Sequence, residues 1–600
     1  MSDLLNLATD LKARDDAQLV RLLEGRGHVG SPKDFFDLAQ ALINPKSIMA
    51  SLCTLTVGEV RALSHLASLN TAHPGIDAVA ATQIPGPWIE ALHARGLAYK
   101  TASGVRALDS VIELATPLIA SLRLSGPEHP TEPLLAEDVN PSELGQAAIA
   151  AFQTQQGVYE LLLDAEANQL KHTGKTGFGV SDVKRMAAHL NLDNGQVRAL
   201  YRLAAQLNLL QLIGETWWFT PAARSFVASS ILDRWRALSK QWLASLGPLG
   251  APALAAELTQ HGHSSLIEAL LQTFPLRDEA LLEQIKELAA QAEALGLSID
   301  GKPSALLTNC LVGGLDLACD MLARHLPGLQ HSLIVQADLS LIAPGPLDGA
   351  TEATLRMFAN VEQVSVANTY RLSAQSISRG LECGLSIDGI RSALLELNSR
   401  QLPQPVEYLL TDTANKFAQL RITAGPGGSE KSVLTASDAL LLTQVLNDSR
   451  LRPFAFQATT ASSISTRFDP DVVYQSLREQ GYLPVIVDSS GAVVSPRRLL
   501  AVSALADSGA NPLQVLINNL READRRVGNQ PDDQDITRQV QLAIKSKVTL
   551  LVYATDRSGK EVEFKLLPTA LANGRLRGMD WRSDVERTLP LERIARVELG

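Results

Sequence analysis

Asp193-Asn194-Gly195-Gln196-Val197-Arg198-Ala199-Leu200-Tyr201-Arg202-Leu203-Ala204-Ala205-Gln206-Leu207 is the stretch on which the fold reading turns. Val197, Leu200, Tyr201, Ala204 and Leu207 recur at i, i+3, i+4, i+7 and i+10, which predicts a helix with one apolar face. Arg198, Arg202 and Gln206 lie four apart and share the opposite face. Downstream, Leu209–Ile213 and Trp217–Thr220 read as strands around Gly214-Glu215. Upstream, a helix from Gly157 leads to one from Ser181. Helices followed by a hairpin of this size predict a winged helix over 150–230. In that fold the polar face of the last helix enters the DNA major groove, where Arg and Gln read base edges or grip phosphates. Lys184 and Arg185, on the preceding helix, are placed to hold the DNA backbone. The alternative is that these side chains solvate a helix, or that the module docks a protein.

The same order appears nearer the N-terminus, within 1–125. Ser31-Pro32 and Asn44-Pro45 each put a capping residue before a proline at a first helical position. Thr56-Val57-Gly58-Glu59 reads as a capping box that opens a helix to about Leu69. Helices at Ile76–Ala81 and from Pro87 to Gly96 precede strands at Leu97–Thr101 and Val105–Leu108. The matching helix here offers only His93 and Arg95. The chain stays helical over 231–328, through Leu281–Leu295 and Ser304–Leu326. From Ser332, helices alternate with short strands, an α+β pattern over 329–424. Gly425-Pro426-Gly427-Gly428-Ser429 reads as a linker before a small α/β unit, 430–520. Residues 521–534 are charged and contain Pro531, which reads as a second linker. A strand-rich module, 535–600, closes the chain.

At 600 residues the chain is long enough for about four domains. Its hydrophobic fraction of 46% and charged fraction of 20% argue against wholesale disorder. Aromatics at 4%, beside abundant Leu and Ala, favour packed helices. The net charge of −10 excludes a chain coated in basic residues but not one basic face. From Asp535 to Gly600 there are 12 Lys/Arg against 9 Asp/Glu, a net +3 where the remainder carries −13. Arg575, Arg577, Arg582, Arg587, Arg593 and Arg596 interleave with Trp581 there, which suits phosphate pairing and base stacking, or plain solvation.

Cys53, Cys310, Cys319 and Cys383 lie far apart, so neither a zinc ribbon nor a disulfide framework is available. The N-terminus has no signal-peptide pattern, and the apolar Ser304–Ala323 window is interrupted by Asn309, Asp316 and Asp320. A cytoplasmic chain without a membrane span is expected. His172-Thr173-Gly174-Lys175-Thr176 imitates a phosphate-binding loop, but position 169, where that loop needs glycine, is Gln169. His261 and His263 read as a solvated helix end, and no catalytic elbow or metal-protease spacing occurs. The expectation is a chain that is not an enzyme and needs no cofactor or metal.

Leu333-Ile334-Val335-Gln336-Ala337-Asp338, Thr369-Tyr370-Arg371-Leu372-Ser373, Gly380–Gly384 and Pro403-Gln404-Pro405 resemble the N-terminal domain of XPB-type DNA helicases. The segment from Asp15 to Leu38 is similar to the opening of helicase-associated actinobacterial proteins that carry this domain without a motor. The closing module resembles a WYL domain, an SH3-like barrel of bacterial regulators, through Val548–Tyr553, Pro568 and Leu591-Glu592-Arg593-Ile594. It departs from that family at Arg575-Leu576-Arg577, where the Trp-Tyr-Leu run belongs. Together these imply a multidomain chain, mainly α with α+β: tandem winged helices, a central XPB-N-terminal-like domain and a C-terminal SH3-like β-barrel. The implied role is DNA-associated, accessory or regulatory, with DNA and an XPB-type helicase or another repair or transcription protein as partners. The alternative is a scaffold whose winged helices bind proteins and not DNA. The candidate DNA contacts are Lys184, Arg185, Arg198, Arg202 and Gln206. The candidate barrel surface is Arg575, Arg577, Trp581, Arg582 and Arg593.

Overall fold

The computed structural model describes the chain except residues 1–2, 28–29, 73–84, 102–103, 123–140, 169, 175–176, 262–264, 365–366, 399, 428–429, 461, 495–511, 530–535, 538–539, 542, 545–548, 556–560, 584 and 600. The helix expected at Ile76–Ala81, Lys175, His263 and Pro531 therefore lie outside the described residues. The chain divides into two compact units, neither continuous in sequence. One comprises Met1–Leu135, Leu243–Ala289 and Ser508–Gly600, the other Ala136–Trp242 and Ala290–Asp507. The region 231–328, read as one helical domain, is thus shared between the two.

In the first unit, helices Asp3–Ala13, Asp16–Arg26, Phe35–Leu42, Pro45–Cys53, Val57–Ala72, Gly86–Ala94 and Asp109–Ala120 surround a buried core that includes Leu7, Leu11, Leu19, Phe35 and Leu38. The Thr56–Glu59 capping box is present: Glu59 Oε2 accepts from the Thr56 amide at 2.8 Å, and Thr56 Oγ1 accepts from the Glu59 amide at 3.4 Å. Strands Ala98–Thr101 and Gly104–Ala107 form the hairpin after Gly86–Ala94. The carbonyls at the end of that helix, which have no intrahelical partner, are met by guanidiniums. Arg14 donates to His93 O at 2.7 Å, and Arg26 donates to Arg95 O at 2.8 Å and Gly96 O at 3.2 Å. Burial, then the nearby Arg95 and Arg14, push Arg26 down to about 10.

Residues 521–529, read as a tether, instead complete the helix Pro512–Asn529. The reason is an apolar seam: Ile517 and Leu520 are fully buried in the N-terminal core, with Leu513 and Leu516 packed against it. The final module is one antiparallel sheet in the order Val585–Pro590, Arg575–Asp580, Glu561–Ala572, Leu550–Thr555, Ile594–Leu599. No pairing joins its first and last strands among the described residues, so the expected barrel is found as an open sheet.

The second unit begins with helix Pro141–Ala167, strand Leu170–Lys171, helices Val180–Leu190 and Asn194–Gln206, and strands Leu210–Ile213 and Thr216–Phe219. Thr216–Phe219 is the middle strand of the resulting three-stranded sheet. Asp193 accepts from the Gly195 and Gln196 amides, and Gln196 reaches back to the Asp193 amide, so the quoted helix starts with a full capping box. Phe178 stacks between Tyr201 and Trp217 at 4.4 and 4.6 Å and ties that helix to the hairpin. The Ser304–Leu326 window is not one helix. Ala305–Val312 and Gly314–Ala323 break at a glycine pair, with Gly314 at φ +82°.

A four-stranded antiparallel sheet follows, in the order Asn360–Gln363, Thr369–Arg371, Ser340–Ile342, Ile334–Val335, with helices Gly349–Phe358, Ala374–Glu382, Ile387–Leu397 and Gln404–Lys416. Gly425–Gly427, read as the start of a linker, belong instead to a strand, while 428–429 lie outside the described residues. Strand Leu420–Gly427 pairs with Glu430–Ala436 and shifts register between Ala424 and Gly427. These strands lie in a five-stranded sheet with Gln457–Thr460, Ser463–Thr466 and Pro484–Ile486. The glycine is needed because a Cβ at Gly425 would stand 2.1 Å from Glu430 O. Gly425→Val is therefore expected to lower the stability of this sheet by about 1–3 kcal/mol. Urea unfolding followed by intrinsic fluorescence would measure it, and an unchanged midpoint would show that the strands separate freely.

Candidate nucleic-acid interface

The Asn194–Gln206 helix buries Val197, Leu200, Tyr201, Leu203 and Ala204 and leaves Arg202 and Gln206 exposed. Arg198 departs from the expected solvent face: it is half-buried, and its Nε is shielded from solvent with no hydrogen-bond partner. Lys184 is exposed on helix Val180–Leu190. Its neighbour Arg185 is exposed but held by two carboxylates, Asp164 at 2.6 Å and Asp182 at 2.9 Å. Burial works against the Arg185 charge, but those two acids outweigh it and raise its basicity. Arg185 thus reaches a phosphate only in competition with them. Lys184, Arg185, Arg202 and Gln206 are exposed, with Arg185 held by its two acids, and Arg198 is the one member of the expected set drawn inward.

His93 and Arg95, the weaker candidates in the first unit, are structural. His93 Nε2 sits 2.9 Å from the buried Asp10, and Arg95 Nε donates to Glu59 at 2.8 Å.

Beside helices Pro141–Ala167 and Val180–Leu190 lies a cleft of about 390 Å3, lined by Glu160, Asp164, Glu166, Arg185, His189, Arg356, Asn360 and Arg379, among others. Its floor is an ion cluster that the sequence reading did not nominate. Glu160 is 3% exposed and is bound bidentately by Arg356, which also holds Glu352 through its Nη2 at 2.6 Å. His189 Nε2 stands 3.6 Å from Glu160, and Arg234 stacks over Tyr159 at 3.9 Å. Burial pushes the Glu160 carboxyl up, yet Arg356 and His189 outweigh that and hold it below the usual carboxylate range. The available signal was Glu160 within the apolar run Val158-Tyr159-Glu160-Leu161-Leu162-Leu163: a carboxylate on a buried face requires a cation. Arg379 is fully engaged, donating to Asn360 Oδ1 at 2.7 Å and to the carbonyls of Arg356, Met357 and Ala359. The cleft joins helices 141–167 and 180–190 to the sheet edge Asn360–Gln363.

In the C-terminal sheet, strand Arg575–Asp580 alternates exposed and buried residues, so Arg575, Arg577 and Met579 share the outward face. Trp581 is 70% exposed, with the Lys565 ammonium 5.9 Å from its ring centre. Arg593 is exposed in a short turn. Arg582 pairs with Glu563 at 2.9 Å. Arg587 pairs with Asp580, whose carboxyl is held down to about 2 by the Arg582 backbone amide and then by Arg587.

Among the described residues no group of His, Cys, Asp and Glu is arranged to hold a metal, and no helix is long and apolar enough to cross a membrane.

Comparison with known proteins adds what the geometry lacks. Residues 333–460 match the family described as helicase conserved C-terminal domain, where the sequence reading expected an N-terminal one. The match runs past the expected boundary at 424, through the Leu420–Gly427 hairpin, to the edge strand Gln457–Thr460. A stretch of 152 residues is 24% identical to the DNA 3'-5' helicase XPB of Mycobacterium tuberculosis (strain ATCC 25618 / H37Rv). That stretch is 25% of this chain and 26% of the helicase, so the chain spans about a quarter of the length of this curated relative. These similarities overturn the expectation that the chain is not an enzyme, because both point toward a helicase-type enzyme. This chain carries a helicase-related segment, similar in part to XPB.

Proposed function

We propose that this is a helicase-linked protein that engages DNA, with an XPB-type helicase or another repair or transcription protein as its partner. The helicase-family match over 333–460 is the observation that carries this reading. On this reading residues 150–230 act as a winged helix whose exposed Lys184, Arg202 and Gln206 contact the duplex. The C-terminal sheet acts as a WYL-like module, its outward Arg575, Arg577 and Trp581, with Arg593, meeting single-stranded nucleic acid or an effector. A second reading, a scaffold whose winged helix binds protein, draws on the neutralisation of Arg185 by Asp164 and Asp182 and on the net charge of −10.

The test is duplex binding by the full chain as a function of salt. Lys184→Ala with Arg202→Ala is expected to weaken binding and to reduce the log–log salt slope by about one for each phosphate no longer gripped. An isotherm unchanged in both respects favours the scaffold. Trp581→Ala is expected to weaken single-strand binding by about 1–3 kcal/mol while leaving duplex binding intact. Fluorescence anisotropy with each strand form separates the two, and ATP hydrolysis with strand separation reads helicase-type activity itself.

A further inference from the structure

Helix Val180–Leu190 carries two adjacent exposed cations, and one of them is withheld. Arg185 follows Lys184 on the exposed face, and its side chain is 43% exposed. Both of its terminal nitrogens are nevertheless taken: Nη2 donates to Asp164 at 2.6 Å and Nη1 to Asp182 at 2.9 Å.

The two carboxylates are not equivalent. Asp182 is buried and built into its surroundings: its Oδ2 also accepts from the Lys171 amide at 3.3 Å, and a Cβ at Gly179 would stand 2.8 Å from that oxygen. Buried there, it requires the guanidinium as a counter-charge. Asp164 belongs to a different helix, Pro141–Ala167, and its Oδ1 also accepts from the Asn168 amide group at 2.7 Å. Arg185 can therefore keep Asp182 through Nη1 while Nη2 changes from Asp164 to another acceptor. A further donor stands close to both acids. Tyr201 is fully buried, and its hydroxyl has no hydrogen-bond partner. Burial, then Asp164 and Asp182, push its ionisation upward, so it stays a donor within electrostatic reach of the carboxylates.

We propose that Asp164 is a restraint on duplex binding: it holds Arg185 off the DNA backbone, and a phosphate engages Arg185 only by displacing it. This inference rests on the duplex reading above and adds its regulation. Phosphate is the matching competitor, because a guanidinium fork grips it as it grips a carboxylate. The affinity of the wild-type chain is thus set below what the cations on this face permit.

The experiment titrates the full chain against a fluorescently labelled DNA duplex over a range of salt. Asp164→Ala is expected to tighten binding by about fivefold or more at low salt and to steepen the log–log salt slope by about one. Asp164→Asn, which removes the charge and keeps a partner for Asn168, should act in the same direction. Arg185→Gln, which keeps a donor for Asp182, should change binding by less than about twofold, because this contact is withheld in the wild type. Asp164→Ala combined with Arg185→Gln should return to the value of Arg185→Gln alone. Glu166→Ala removes an exposed acid two positions further along the same helix and should have less than about a twofold effect. The restraint is overturned if both Asp164 variants leave affinity and slope unchanged. It is also overturned if the gain survives Arg185→Gln or is matched by Glu166→Ala, since a general loss of negative charge would then explain it. Lys184→Ala with Arg202→Ala tells the two failures apart. An unchanged isotherm for that pair brings down the duplex reading and the restraint with it. Weakened binding for that pair, beside no gain from Asp164→Ala, overturns the restraint alone.

Discussion

Replacing Arg356 by Ala is expected to destabilise the second unit by about 3–5 kcal/mol, because it leaves the buried Glu160 and the adjoining Glu352 without their shared cation. Arg356→Lys keeps the charge but loses the fork that binds Glu160 bidentately, so only part of the stability should return. The pH dependence has a defined sign. In the native protein the Glu160 carboxyl lies below its ordinary value. Its contribution is therefore complete above the unfolded carboxylate range of about 4.3, and it is lost as pH falls through the lower folded value. In Arg356→Ala, burial acts without an opposing guanidinium, so the carboxyl rises and acid relieves the buried charge. The difference between wild type and variant should be largest near neutrality and shrink below about pH 4. Urea titrations at several pH values measure it. A difference that stays constant across that range would show that Glu160 gains nothing from Arg356.

Trp235→Ala should be comparably severe. Trp235 is fully buried on helix Ile231–Ser245, and its indole nitrogen donates to Leu295 O at 2.9 Å. Removing the ring deletes a large apolar volume and orphans a buried carbonyl, which together cost about 3–5 kcal/mol. Trp235→Phe separates the two effects, since it keeps most of the volume and should lose only about 1–2 kcal/mol. Thermal unfolding of both variants is the check. Equal losses would mean the hydrogen bond, and not the packing, holds this helix.

Both effects arise from contacts distant in sequence, and that is the line between what was legible and what was not. Periodicity and capping chemistry are local, so the Asn194–Gln206 helix, the Thr56–Glu59 capping box and the two hairpins at 98–107 and 210–219 followed from the residues alone. Each is decided by backbone groups and side chains within a few positions of one another. The run from Gly425 to Gly427 misled because a linker and a tight strand pairing have the same composition, and only the approach of Glu430 O distinguishes them. Residues 521–529 misled for a related reason: a charged stretch reads as solvated until the acceptor of Arg521, the Lys12 carbonyl, is known. The helicase resemblance around 333–422 was legible in the residues, and the match extends it to 460.

Side-chain roles were the part that only tertiary structure decided. Spacing put Arg198 on a solvent face and Arg185 on a DNA-facing helix, but burial shields the first and Asp164, from the preceding helix, claims the second. Glu160 and Arg356, 196 positions apart, became a pair only when helix Pro141–Ala167 met helix Gly349–Phe358. Local structure follows from interactions along the chain, whereas the charge state and availability of a side chain depend on which distant groups folding places within a few ångströms of it.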